Sequence, residues 1–162
     1  MTIIATPKAT NANSYATLAE ANAYHDTRLH NAEWGTASDA DKEKALIMAT
    51  RALDQLRWKG VTTTSTQVLK FPRAYLIDIH GNYEDSDTIP TQLVDATAEM
   101  AWLLITKDST RESTTKGIKS VGAGPINVVF DKTDRSRNIP DSVIDIVGHW
   151  IESRGSVRLA RG

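Results

Sequence analysis

The chain contains no cysteine, so disulfides and thiolate metal sites are excluded and redox chemistry says nothing about its compartment. Aromatic residues are scarce, at 6% with two Phe among them, which leaves little material for rows of base-stacking rings. An excess of one charge is also missing: 19 Lys and Arg face 20 Asp and Glu, and a net of −1 argues against a generic nucleic-acid or membrane binder working by long-range attraction. No apolar run reaches bilayer-spanning length, and Met1-Thr2-Ile3-Ile4-Ala5 has neither the basic nor the apolar region of a signal peptide. The expectation is a soluble chain made in the cytoplasm, with no membrane partner.

What the chain does hold is unevenly placed. Residues 1–106 carry 9 basic and 13 acidic side chains, whereas residues 107–162 carry 10 and 7, so the charge changes sign along the chain. A length of 162 residues fits one folding unit. Three stretches are expected within it: an N-terminal helical core over 1–106, a linker and β-hairpin over 107–138, and a C-terminal helix with a basic tail over 139–162.

The helix signals are local and specific. Thr17-Leu18-Ala19-Glu20 has capping-box spacing and opens a short helix reaching about His30. The clearest helix spans Ser38 to Gly60: Ser38 serves as N-cap, Asp39 and Asp41 complement the helix dipole, and Gly60 reads as the stop. Ala45, Met48, Ala49, Ala52, Leu53 and Leu56 form its apolar stripe, with Ile47 off it. Ile89-Pro90 precedes a helix over Thr91 to Lys107 that is apolar on two sides, and therefore central or shared between subunits. Ile139-Pro140 precedes a last helix burying Val143, Val147, Trp150 and Ile151. Ile118 to Val121 and Ile126 to Phe130 flank Gly122-Ala123-Gly124-Pro125 and read as a hairpin. The first dozen residues form an arm that would take its order from a partner. The fold class is mainly α: a small bundle of about four helices with an inserted β-hairpin and extended N- and C-terminal arms.

No catalytic constellation emerges. The Gly122 turn lacks the lysine and following helix of a phosphate cradle. His25 and His30, five apart, diverge on a helix. Asp78, Glu84, Asp85 and Asp87 supply oxygen ligands without calcium-loop spacing. Neither an enzyme nor a cofactor is expected, and Trp58, Trp102 and Trp150 fall at apolar stripes as core residues.

One ordered set of residues has a wider likeness. Asn13-Ser14-Tyr15, Leu18-Ala19-Glu20-Ala21 with Tyr24, Trp34, the Lys42 to Leu53 helix, Trp58-Lys59-Gly60, Gln67, Phe71-Pro72-Arg73 and Ile89-Pro90 together resemble the tailed-bacteriophage head-to-tail adaptor proteins, some of which are labelled DnaT-like single-stranded DNA-binding proteins. The resemblance implies a structural protein at the virion head-tail junction, a connector ring that is typically a dodecamer, bound to itself, to the portal and to the next neck or tail protein, with double-stranded DNA passing through. On that footing Arg154, Val157, Arg158, Leu159 and Arg161 are expected to dock on the portal. Ile47, Arg73, Ile118, Ile126, Val128 and Phe130 are expected at subunit or tail interfaces. Pro72 should hold Phe71 inward and aim Arg73 at an acidic group of the same or a neighbouring subunit. The alternative is single-stranded DNA binding, against which the near-neutral charge and the few aromatics count.

Overall fold

The computed structural model describes residues 2–107, 120–123, 126–129 and 139–152. Among the described residues five α-helices, one 3-10 turn and two small antiparallel strand pairs form the regular structure, so the chain is mainly helical as its periodicity predicts.

Helix α1 (Leu18–Asp26) starts where Thr17 accepts from the Glu20 amide while the Glu20 carboxylate reaches back to the Thr17 amide, so the capping box is formed in full. It stops four residues before His30, and a short helix α2 (Ala32–Thr36) fills the connection to the next helix. Helix α3 (Asp39–Asp54) begins at Ser38, whose hydroxyl accepts from the Asp41 amide.

The far end of α3 corrects the expectation. The helix ends at Asp54, not at Gly60, because the chain beyond it finds a different partner: Trp58 bridges Ile151, the Lys59 amide donates to the Trp150 carbonyl, and the Glu152 amide donates to the Arg57 carbonyl. Gly60 serves close approach instead. Its φ is 71°, and a Cβ there would lie 2.4 Å from the Ala74 carbonyl oxygen, across the pairing of β1 (Val61–Thr62) with β2 (Arg73–Ala74).

The long connection from β1 to α4 is held by its own side chains. Thr63 donates to the Pro72 and Ser86 carbonyls, and Gln67 accepts from the Thr64 amide while donating to the Leu69 and Pro72 carbonyls. Helix α4 (Thr91–Thr106) is central as expected, packing against α1, α2, α3 and the last helix α5 (Asp141–Val147). Leu93, Ala96, Ala98, Met100 and Ala101 are all buried on it. A 3-10 turn, Gly148–Trp150, follows α5 and drives Trp150 fully into the core with Val143 and Val147. Ile151, expected inside, is half-buried. Strands β3 (Ser120–Ala123) and β4 (Ile126–Val129) pair antiparallel in the hairpin read from the sequence, with Val121 opposite Val128.

The N-terminal arm also departs from expectation. It docks on its own chain: Asn13 accepts from the Ile4 amide and donates to the Thr2 carbonyl, Ile3 packs against the core, and Lys8 pairs with Asp87. Local polar bonds from one asparagine supply an order that composition alone does not signal.

Gly60→Ala combines left-handed strain with a backbone collision. It should cost about 1–3 kcal/mol from strain alone, read as a lowered urea midpoint at unchanged m-value; a stability equal to the parent's would refute the close-approach role.

Candidate nucleic-acid interface

A surface that binds nucleic acid needs cations free to meet phosphates and rings free to meet bases. In the helical body most cations are already engaged in holding the fold. Lys44 pairs with Asp41 at 2.9 Å, and Lys42, near Asp39, sits 5.5 Å from the Trp34 ring centre. Arg28 pairs with the buried Glu99 and lies 4.2 Å above the centre of the Trp102 ring, while Tyr24 donates to the same carboxylate. Lys70 and Lys59 donate to the Leu56 and His149 carbonyls.

Arg73 is the clearest case. It is 9% exposed, and its guanidinium donates to the carbonyls of Trp58, Lys59, Gly60 and Lys70 at 2.7–3.3 Å. The expected interface arginine is therefore a clamp inside its own chain, fixing the segment after α3 to β2. Ile47 is corrected in the same sense: at 3% exposure it is buried in its own protomer and does not face a neighbour. An off-stripe position on α3 is covered because the bundle surrounds more of that helix than a single apolar stripe suggests.

Of the remaining expected contacts, Ile126 and Val128 lie on β4, opposite Ala123 and Val121. Their side chains fall outside the described residues, as do Ile118, Phe130, Arg154, Val157, Arg158, Leu159 and Arg161. The expected portal contacts all lie outside the described residues.

The rings divide as sharply as the cations. Trp34, Trp58 and Trp150 are buried and Trp102 is half-buried under Arg28, so the tryptophans belong to the core as expected. Exposed rings occur at Tyr75 and Tyr83, which the sequence reading passed over. Tyr75, Ile77, Ile79 and Tyr83 are 49–75% exposed. They leave Leu76 buried and Asp78 half-buried between them and form the exposed apolar part of a ribbon over residues 75–84. Ile77 bridges Tyr83 across that ribbon, and Asp78 closes its tip by accepting from the His80 and Asn82 amides. Tyr75 has a φ of 62°, a left-handed conformation unusual for an aromatic residue. The apolar residues at 75–79 stand in the sequence, but their division between buried Leu76 and exposed neighbours is not readable there.

The acids of this loop use their oxygens locally. Asp78 is held below the ordinary carboxylate range chiefly by the Asn82 amide, and Glu84 is raised by burial and then by the charge of Asp78. Among the described residues there is no group of three or more His, Asp or Glu placed to hold a metal ion. An open groove of about 490 Å³ between α2, α3 and α4, lined by Met48, Leu104 and Ile105 with Glu33, Asp41 and Lys44 at its edge, lacks the converging polar groups that catalysis needs. No helix among the described residues is long and apolar enough to cross a membrane.

A family model described as "Putative DnaT-like ssDNA binding protein" matches residues 1–162. The chain belongs to that DnaT-like family. No curated protein and no solved structure matches it. The membership corrects the virion reading: the DnaT-like family is described by single-stranded DNA binding, not by a head-tail connector, neck or portal-binding role, and the weakly specific motifs quoted above fit the DnaT-like label they shared with the adaptors.

Two predictions follow from the geometry. Arg73→Lys keeps the charge but loses the planar fork, leaving carbonyls of the clamp unpaired, and should lower stability by about 1–3 kcal/mol in chemical denaturation. A parent-like curve would remove Arg73 from its structural role. Burial holds both His25 and His149 below the ordinary value of 6.5, with His25 Nε2 donating to the Ala98 carbonyl. The unfolded chain then takes up protons first, so the stability these histidines contribute is present above pH 6.5 and is lost as pH falls below it. The denaturation midpoint should drop between about pH 7.5 and 5.5; a flat profile counts against it.

Proposed function

We propose that the chain binds single-stranded DNA, and that the contacts to phosphate come from its C-terminal third. The observation that carries the reading is membership, over residues 1–162, of a family described by that activity. The chain's own chemistry supports the location. Net charge over the whole chain is −1, yet residues 107–162 carry 10 basic and 7 acidic side chains. Within them Ser153 to Gly162 holds Arg154, Arg158 and Arg161 and no acid. Most cations of the described body are engaged with carbonyls and carboxylates, whereas the tail combines three arginines with no acid.

Near-neutral net charge therefore does not argue against DNA binding here, because phosphate contact depends on local charge within a Debye length of roughly 8–10 Å and not on the sum over the chain. With the tryptophans occupied in the core, affinity is expected to come mainly from phosphates and to depend steeply on salt.

The test is fluorescence anisotropy with a labelled oligothymidylate across a salt series. Each phosphate contact contributes a slope of about −0.7 in log K against log salt for single strands, so replacing Arg154, Arg158 and Arg161 together by Ala should make the slope less negative by about 2. Absence of saturable binding at low salt sinks the reading; an unchanged slope moves the contacts away from the tail.

A further inference from the structure

The ribbon over residues 75–84 exposes an apolar face to solvent beside a row of acids. Tyr75, Ile77, Ile79 and Tyr83 form that face, and Asp78, Glu84 and Asp85 lie along it in sequence. Asp87 is already paired with Lys8. Asp85 accepts from the Asp87 amide and the Thr88 hydroxyl yet remains exposed, and Glu84 feels the charge of Asp78, so the rim holds net negative charge. Such a rim repels phosphates, which makes this face unsuited to DNA despite its two tyrosines.

Two observations name an occupant. The first is where the described chain ends: the indole of Trp150 donates to the Ile77 carbonyl at 3.2 Å and the Glu152 amide donates to the Arg57 carbonyl, so the last described residue lies two positions after a direct bond to the ribbon. Ten residues follow, enough to reach ~33 Å when extended, and the ribbon lies well within that range. The second is complementarity. Val157-Arg158-Leu159 alternates apolar residues with a cation and residues 153–162 hold three Arg and no acid, while the ribbon sets exposed apolar residues beside carboxylates.

We propose that the face formed by Tyr75, Ile77, Ile79 and Tyr83 is the docking surface for the chain's own C-terminal segment, residues 153–162. On this proposal Val157 and Leu159 meet the apolar face and the arginines of the tail meet the acid rim. Tethering favours the chain's own tail over a second copy's, because a short linker gives an effective concentration on the order of millimolar. The acid rim and DNA then compete for the same arginines, a consequence that rests on the DNA-binding reading.

Hydrogen exchange on the full chain without DNA tests the docking. The amides of Asp78 and Glu84, which donate to the Asn82 and Leu76 carbonyls, should exchange roughly tenfold faster in Arg158→Glu/Arg161→Glu. The amides of residues 157–161 should exchange faster in Ile79→Ser/Tyr83→Ser, whose sites are exposed and whose melting should match the parent's. Sedimentation should show a monomer throughout. Unchanged exchange in both variants overturns the proposal. So does protection that rises with concentration alongside a dimer, which would assign the face to a second copy. The competition is read separately: Asp85→Ala should tighten oligothymidylate binding a few-fold, and unchanged affinity beside intact docking overturns the competition alone.

Discussion

The Phe71 ring is the point on which the fold depends. It lies edge-on to Tyr15 at 5.9 Å and to Trp58 at 4.9 Å between centres, with Trp150 at 6.2 Å. Those four rings come from four separate stretches: the lead-in to α1, the exit from α3, the long connection and the turn after α5. Aromatic pairs of this geometry contribute about 0.5–1.5 kcal/mol each beyond their burial, so the cluster joins segments that no helix-helix contact would bring together. Polar bonds around it serve the same end. Tyr15, kept protonated by burial and by the charge of Asp54, donates to that carboxylate, which also accepts from the Lys70 amide, while Arg73 closes the carbonyls of residues 58–60.

That arrangement explains how a helical bundle carries a connection of nearly thirty residues without losing order. Burying Phe71 positions Arg73 two residues on, and Arg73 then satisfies carbonyls left open when α3 ends early. Beyond the clamp the ribbon over 75–84 buries Leu76 and turns Tyr75, Ile77, Ile79 and Tyr83 outward. The body thereby acquires one face that is both apolar and acidic, and most of its described cations are engaged in holding the fold together. The C-terminal third holds the opposite charge, which is why function is sought there and not in the groove between α2, α3 and α4.

Much of the body was legible in the residues. The capping box at Thr17, the N-cap at Ser38, the two Ile-Pro helix starts, the central role of α4 and the β3–β4 hairpin each rest on interactions within a few positions of one another, so they could be read locally. The inward Phe71 followed from proline chemistry in the same way. The candidate site was far less legible. Ile47 and Arg73 looked available because periodicity ranks faces of one element and cannot count the neighbours that cover the others. Family membership, meanwhile, rests on a match over residues 1–162, and it is to the DnaT-like family and not to an adaptor ring.

The amino-acid order alone determined where helices begin, because caps and prolines act on the nearest backbone groups. It also determined the reversal of charge between the two parts of the chain. Where α3 ends, why Gly60 must be glycine, which cations are spent on carbonyls and which rings remain outside were decided only by tertiary structure. Each of these depends on a strand, carbonyl or ring more than a dozen residues away, and a long-range partner that competes with local propensity leaves no local mark.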